Sequence, residues 1–138
     1  MRPFEIIDHT ADIGVVLYGK NLPELFVHAG QAFTDVISEL KKIPATLKKR
    51  ISVKGETHEE LLAGFLKELL YLFDTEQLLF AKFTDIRLSD TLFECEAEGI
   101  EWDQEKYPFK TALKAVTHHM LKIEKVKDGY RATVIFDV

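Results

Sequence analysis

Cysteine is almost missing from this sequence: Cys95 is the only one in 138 residues. One thiol cannot close an intramolecular disulfide, and it cannot build a zinc finger. Long apolar runs are missing too. The longest stretch free of Asp, Glu, Lys and Arg is Leu25 to Thr34, ten residues, about half of the ~20 that a membrane-spanning helix needs. The opening Met1-Arg2-Pro3-Phe4-Glu5 carries no apolar signal segment, so the expected compartment is the cytoplasm and no membrane contact is expected. An excess of positive charge is also absent. The formal net charge is −5 and the pI about 5.5, which disfavours broad, charge-driven nucleic-acid binding. Seven glycines and four prolines are scattered without a linker, a repeat or a low-complexity run. Residues 1–138 therefore read as a single domain.

What is present is a foldable core. Hydrophobic residues make up 46% and charged residues 30%, and ten residues are Phe. A chain of this length hides roughly 70% of its unfolded surface. Phe4–Asp8 and Ile13–Tyr18 read as a β-hairpin with His9-Thr10-Ala11-Asp12 at its tip. Asn21 is a helix N-cap, Pro23 suits a first turn, and apolar residues from Leu22 to Leu40 recur at three- and four-residue steps. Leu47–Lys54 alternates as a strand. Thr57 and Glu60 have capping-box spacing, opening a second apolar-faced helix that closes at Asp74. Phe80–Leu88 and Leu92–Gly99 are two more strands. Lys114–Lys127 and Tyr130–Asp137 flank Asp128-Gly129, a strong two-residue turn signal. The order β-β-α-β-α-β-β-β-β predicts an α+β two-layer sandwich, a mainly antiparallel sheet with both helices on one face.

Several residues have the chemistry of a site. Asp8-His9-Thr10-Ala11-Asp12 puts two carboxylates and an imidazole at a hairpin tip, suited to a divalent cation or to acid/base work. The plainer reading is that they bond to the turn backbone. A terminal strand would deliver Asp137 beside the α-carboxylate of Val138, an oxygen-rich pair fit for a hard cation; the plainer reading is a frayed end. In Lys114-Ala115-Val116-Thr117-His118-His119 the adjacent histidines of a strand point to opposite faces, so at most one joins a site. Counting outward from an Asp128-Gly129 turn puts Asp137 opposite Met120 and Val138 opposite His119.

The remaining charged stretches read as solvated faces. Positions 85–105 hold eight acids against the single base Arg87, and Lys41, Lys42, Lys48, Lys49 and Arg50 form a basic cluster. Cys95 lies between acids that should raise its pKa, against a nucleophilic role. No phosphate loop, Gly-x-Ser-x-Gly or His-Glu-x-x-His is present. His28 and His58 have no partner at ligand spacing.

Four segments together resemble the archease family: Asp8 to Gly14, Leu69-Leu70-Tyr71-Leu72-Phe73-Asp74, Lys114 to His119, and Val134-Ile135-Phe136-Asp137-Val138. They span almost the whole chain, in family order and spacing. The chain departs from the family at His118, usually Tyr, and at Lys106-Tyr107, where Arg-His is common. The resemblance implies a small cytoplasmic protein that is not itself an enzyme. Its partner would be the GTP-dependent tRNA-splicing RNA ligase, whose guanylylation and turnover it promotes. RNA and GTP would be met only through the ligase. The resemblance further implies a divalent cation, Ca²⁺ first and Mg²⁺ or Mn²⁺ as substitutes, held by Asp12, Asp137 and Val138. Asp8, His9, Lys114 and His119 would stand behind that site or contact the partner. A competing reading is a chaperone-like helper of RNA-processing enzymes without nucleotide or metal chemistry. A free-standing metal-dependent hydrolase is a third.

Overall fold

The structure is a computed structural model that describes residues 2–8, 11–118 and 121–138, and of Asp8 the backbone alone. His9, Thr10, His119 and Met120, which the sequence reading used, lie outside the described residues. Among those described, eight strands and two helices follow in the order β1 (Phe4–Asp8), β2 (Asp12–Gly19), α1 (Leu22–Ile37), β3 (Leu47–Lys54), α2 (His58–Glu76), β4 (Leu78–Leu88), β5 (Leu92–Glu101), β6 (Ala115–Thr117), β7 (Ile123–Val126) and β8 (Gly129–Asp137). This is the expected α+β architecture, with every strand pair antiparallel. No helix among the described residues is long and apolar enough to cross a membrane.

Local chemistry sets both helices. The Asn21 side chain accepts from the Glu24 N–H at 2.9 Å, and Pro23 sits in the first turn of α1. The stripe ends at Ile37, and Leu40 falls in a separate 3-10 turn, Leu40–Lys42. In α2 the capping box is complete: Thr57 Oγ1 accepts from Glu60 N–H, and the Glu60 carboxylate accepts from Thr57 N–H, each at 3.1 Å. The helix ends at Gln77, which takes the left-handed conformation.

The strands divide into two sheets, a partition the sequence reading did not foresee. One has the order β1-β2-β8-β6, with β7 also pairing to β8; the other is β3-β5-β4. Each sheet buries one face against the helices. In β2 the inward residues are Ile13, Val15 and Leu17, in β8 Ala132, Val134 and Phe136, and in β5 Phe93, Cys95 and Ala97. Both helices contact both sheets. Phe93 holds the layers together, its ring 4.7 Å from Phe26 of α1 and 4.7 Å from Phe65 of α2. Phe33 of α1 meets Phe136 of β8 edge-on at 6.2 Å.

The C-terminal hairpin departs from expectation. Val126 pairs with Gly129, so Lys127-Asp128 occupy the turn and Gly129 is its fourth residue, a favoured place for glycine. Gly129 has φ +146°, and a Cβ there would lie 2.1 Å from the Gly19 carbonyl oxygen, so the position accepts only glycine. The expected continuous strand Lys114–Lys127 is also broken. β6 ends at Thr117 and β7 begins only at Ile123. Side chains of α2 reach the described residues on either side of this break: Lys67 contacts His118, and the Glu59 carboxylate accepts from the Ile123 N–H at 3.1 Å. The register therefore slips, and Asp137 pairs with Ala115 rather than Met120.

Candidate functional site

β2 and β8 run side by side, and their register pairs Asp12 directly with Asp137. Ile13 and Phe136, the next pair along, are buried; Asp12 and Asp137 therefore point to the opposite, outward face. Residues directly opposite in an antiparallel pair have Cβ atoms ~4.5–5.5 Å apart. Across β8 from Asp12 stands Ala115, whose small side chain leaves that flank open. The Val138 N–H donates to the Ala11 carbonyl at 3.3 Å, so the ladder continues past Asp137 and fixes the last residue against the start of β2. Val138 is half-buried and packs on the core. The end of β8 is thus tied down rather than frayed.

The other candidates distribute around this pair. The Lys114 N–H donates to the Asp137 carbonyl at 2.8 Å, which anchors the exposed Lys114 beside the pair through its backbone. Asp8 closes β1, its backbone opposite Ile13. His9 and His119 lie outside the described residues. His118 faces Lys67 of α2. Among the described residues neither the Asp12 nor the Asp137 side chain has a hydrogen bond or ion pair, and no group of three or more His, Cys, Asp or Glu is placed to hold a metal ion. Asp12 and Asp137 are cross-strand partners that offer carboxylate oxygens alone, donors of the kind that suit a hard cation.

The remaining candidates are structural. The Glu94, Glu96 and Glu98 row and the basic row of β3 face each other on the outer side of the three-stranded sheet. Lys48 lies 3.6 Å from both Glu96 and Glu98, and Lys82 lies 3.8 Å from Glu98. Asp85, at φ +49° in a β-bulge, takes Arg50 at 2.7 Å and Arg87 at 3.6 Å. Lys48 and Arg50 of the basic stretch thus pair with Glu96, Glu98 and Asp85 of the acidic one. Cys95 is fully buried, and burial pushes its thiol up to about 12 against a smaller opposing pull from Arg50. The inference of an inert thiol stands, but its cause is desolvation rather than the acids beside it. His28 Nδ1 sits 2.5 Å from the Tyr18 carbonyl, and His58 lies 3.5 Å from Asp90.

Sequence reasoning missed a cavity of about 880 Å³ at the three-stranded sheet, lined among others by Gln77, Trp102, Lys106 and Tyr107. No apolar periodicity or motif marks it. Lys106 and Tyr107, one of the two places where the sequence departs from the family it resembles, line this cavity, whereas His118, Asp12, Asp137 and Val138 do not.

Comparison with known proteins gives consistent matches. Residues 4–138 match the model of the Archease protein family (MTH1598/TM1083). The protein archease of Pyrococcus furiosus is 41% identical over 142 residues, covering 100% of each chain. That of Methanosarcina barkeri is 38% identical over 141 residues, covering 99% of this chain and 97% of that one. The solution structure of Methanobacterium thermoautotrophicum protein 1598 superposes with a TM-score of 0.86 at 35% identity, covering 100% of both chains. The crystal structure of a Thermotoga maritima archease, described as a possible chaperone, shares the fold with a TM-score of 0.65 at 23% identity, over 100% of this chain and 98% of that one.

Proposed function

The chain belongs to the archease family, and from that premise we propose that it is an accessory protein, not an enzyme, that activates the GTP-dependent tRNA-splicing RNA ligase in a metal-dependent way. The observation that carries this reading is the register that sets Asp12 against Asp137, two carboxylates with no other partner among the described residues. Asp12, Asp137 and the Val138 α-carboxylate would hold a divalent cation, with Ca²⁺ favoured because it takes oxygen donors in an adaptable coordination geometry, and Mg²⁺ or Mn²⁺ as alternatives. When bound, such a cation would supply charge neutralisation for nucleotide phosphates during guanylylation of the ligase.

The chain's own residues do the positioning. Hydrogen bonds from Val138 N–H to Ala11 and from Lys114 N–H to Asp137 lock the ends of β2, β6 and β8 to one another. The two carboxylates are then presented on rigid strands rather than on a loop, which lowers the entropy cost of aligning them with a partner pocket. The outward face leaves them open to the ligase, so GTP and RNA are met through that partner.

A guanylylation time course of the ligase tests the reading. Wild-type protein with Ca²⁺ should accelerate guanylylation. Asp12→Ala and Asp137→Ala should abolish the acceleration while keeping the fold by circular dichroism. Folded variants that still accelerate the ligase would overturn the metal-dependent reading in favour of chaperone-like assistance.

A further inference from the structure

The outward face of the five-stranded sheet carries a second feature further along the same two strands. From Asp137, β8 presents Ile135, Thr133 and Arg131 outward; from Asp12, β2 presents Gly14, Val16 and Tyr18. Tyr18 and Arg131 are cross-strand partners. Six residues of strand put them roughly 20 Å from the carboxylate pair. Two concavities, of about 480 and 410 Å³, meet there and share both side chains as walls. The charges around them run against the chain as a whole. Among the described residues, Arg2, Lys122, Lys127 and Arg131 line the two hollows against Glu124 and Asp128, with Glu5 3.9 Å from Arg2 on an exposed pair, on a protein of net charge −5. Glu124 is used internally, holding the Arg131 guanidinium at 3.0 Å. That pair fixes the arginine in place, and a guanidinium has further N–H donors to offer.

A basic surface on an open sheet face, with an aromatic side chain between two hollows, is an arrangement that grips single-stranded nucleic acid. Cations track the phosphates, and the ring gives a base a stacking surface. An acidic peptide would use the cations but has no need of the ring. The geometry points to direct binding of a short single-stranded polynucleotide segment along this groove, with a base on Tyr18 and phosphates on Lys122, Lys127 and Arg2. This goes beyond the activator reading, which places RNA on the ligase. It asks nothing of the carboxylate pair.

Fluorescence anisotropy with the isolated protein in EDTA tests it. The probes are a fluorescein-labelled uridine decamer, the matching thymidine DNA decamer, and a labelled glutamate decapeptide. Both oligonucleotides should bind with dissociation constants of about 10–100 µM near 50 mM salt, and three phosphate contacts predict a roughly twentyfold weakening near 200 mM. Tyr18→Ala should weaken binding at least about fivefold, while Tyr18→Phe, which keeps the ring and the packing, should bind as wild type does. Lys122→Gln with Lys127→Gln should lower the salt slope by about 1.4. The proposal fails if neither oligonucleotide binds, if Tyr18→Phe binds as poorly as Tyr18→Ala, if the lysine variants leave the slope unchanged, or if the glutamate peptide binds as well as the oligonucleotides. Because ligase and metal are both absent, failure here leaves the activator reading untouched.

Discussion

Asp12→Asn should stabilise the metal-free protein and cost it its response to calcium. Asp12 and Asp137 are cross-strand partners without any compensating cation among the described residues. Asp137 is exposed and Asp12 half-buried, so water screens the pair. At about 5 Å in a dielectric near that of water, two like charges repel by about 0.8 kcal/mol, within the ~0.2–1 kcal/mol range of directly opposed strand charges. For a chain of this length, unfolding entropy converts ~0.5–1 kcal/mol into a rise of about 2–3 °C in melting temperature. In EDTA, thermal denaturation followed by circular dichroism should show that rise for Asp12→Asn. Calcium at about a hundred times its dissociation constant should stabilise wild type by ~2.7 kcal/mol, roughly 9 °C on the same conversion. The variant should gain little, and so should wild type extended by a tag past Val138. A lower melting temperature for Asp12→Asn in EDTA would mean the carboxylate is a structural hydrogen-bonding group. A wild-type melt that ignores calcium would remove the shared cation altogether.

Two further predictions rest on the scaffold. Gly129→Ala should destabilise by about 1–3 kcal/mol in urea unfolding, because the residue combines φ +146° with a Cβ position 2.1 Å from Gly19 O; a neutral result would mean that neither the positive φ nor the close approach to Gly19 constrains this position. Cys95 should resist Ellman's reagent in the native state at pH 8 and react once denatured. Its folded-state pKa of about 12 lies above the ordinary 9.0, so the stability it contributes is intact below pH 9 and is lost as pH rises towards 12. Denaturant melts of wild type and Cys95→Ala should converge in pH dependence over that window if Cys95 were irrelevant, and diverge as stated here.

Local chemistry made much of this fold legible. Asn21, Pro23, Thr57 and Glu60 announce helix starts because each satisfies an orphan backbone donor or fits a first turn. The 2-residue alternation of Leu47–Lys54 gives the faces of β3 correctly. What alternation cannot give is the partner strand. The charges of β3 and β5 look like two patches in the sequence, yet the register sets Lys48 opposite Glu98 and Arg50 opposite Glu96. Cys95 shows the same limit. Its sequence neighbours are acids, but adjacent residues of a strand face opposite ways, so the thiol meets the core instead. Asp128-Gly129 misled by one residue, because Gly129 is demanded by the close approach of Gly19 rather than by the centre of a turn. The break between β6 and β7 was invisible, since Glu59 and Lys67, which contact Ile123 and His118 on either side of it, lie more than fifty positions earlier in the chain. The pairing of Asp12 with Asp137 survived that error because it depends on β2 against β8, not on β7.

The central place of β8 has a kinetic meaning. It hydrogen-bonds to β2 on one side and to β6 and β7 on the other, and its β2 partner comes from the opposite end of the chain. Such distant contacts cost a large loop closure before they return any burial, and domains rich in them fold in milliseconds to seconds rather than microseconds. The paired carboxylates cannot form in a half-folded chain, because their strands meet only when the whole sheet closes. Amide hydrogens of β2 and β8 should therefore exchange through global opening rather than local fraying. Any core lesion, Phe93 included, then reduces the concentration of the assembled pair in proportion to the unfolded fraction, so damage remote from Asp12 and Asp137 can resemble damage to them.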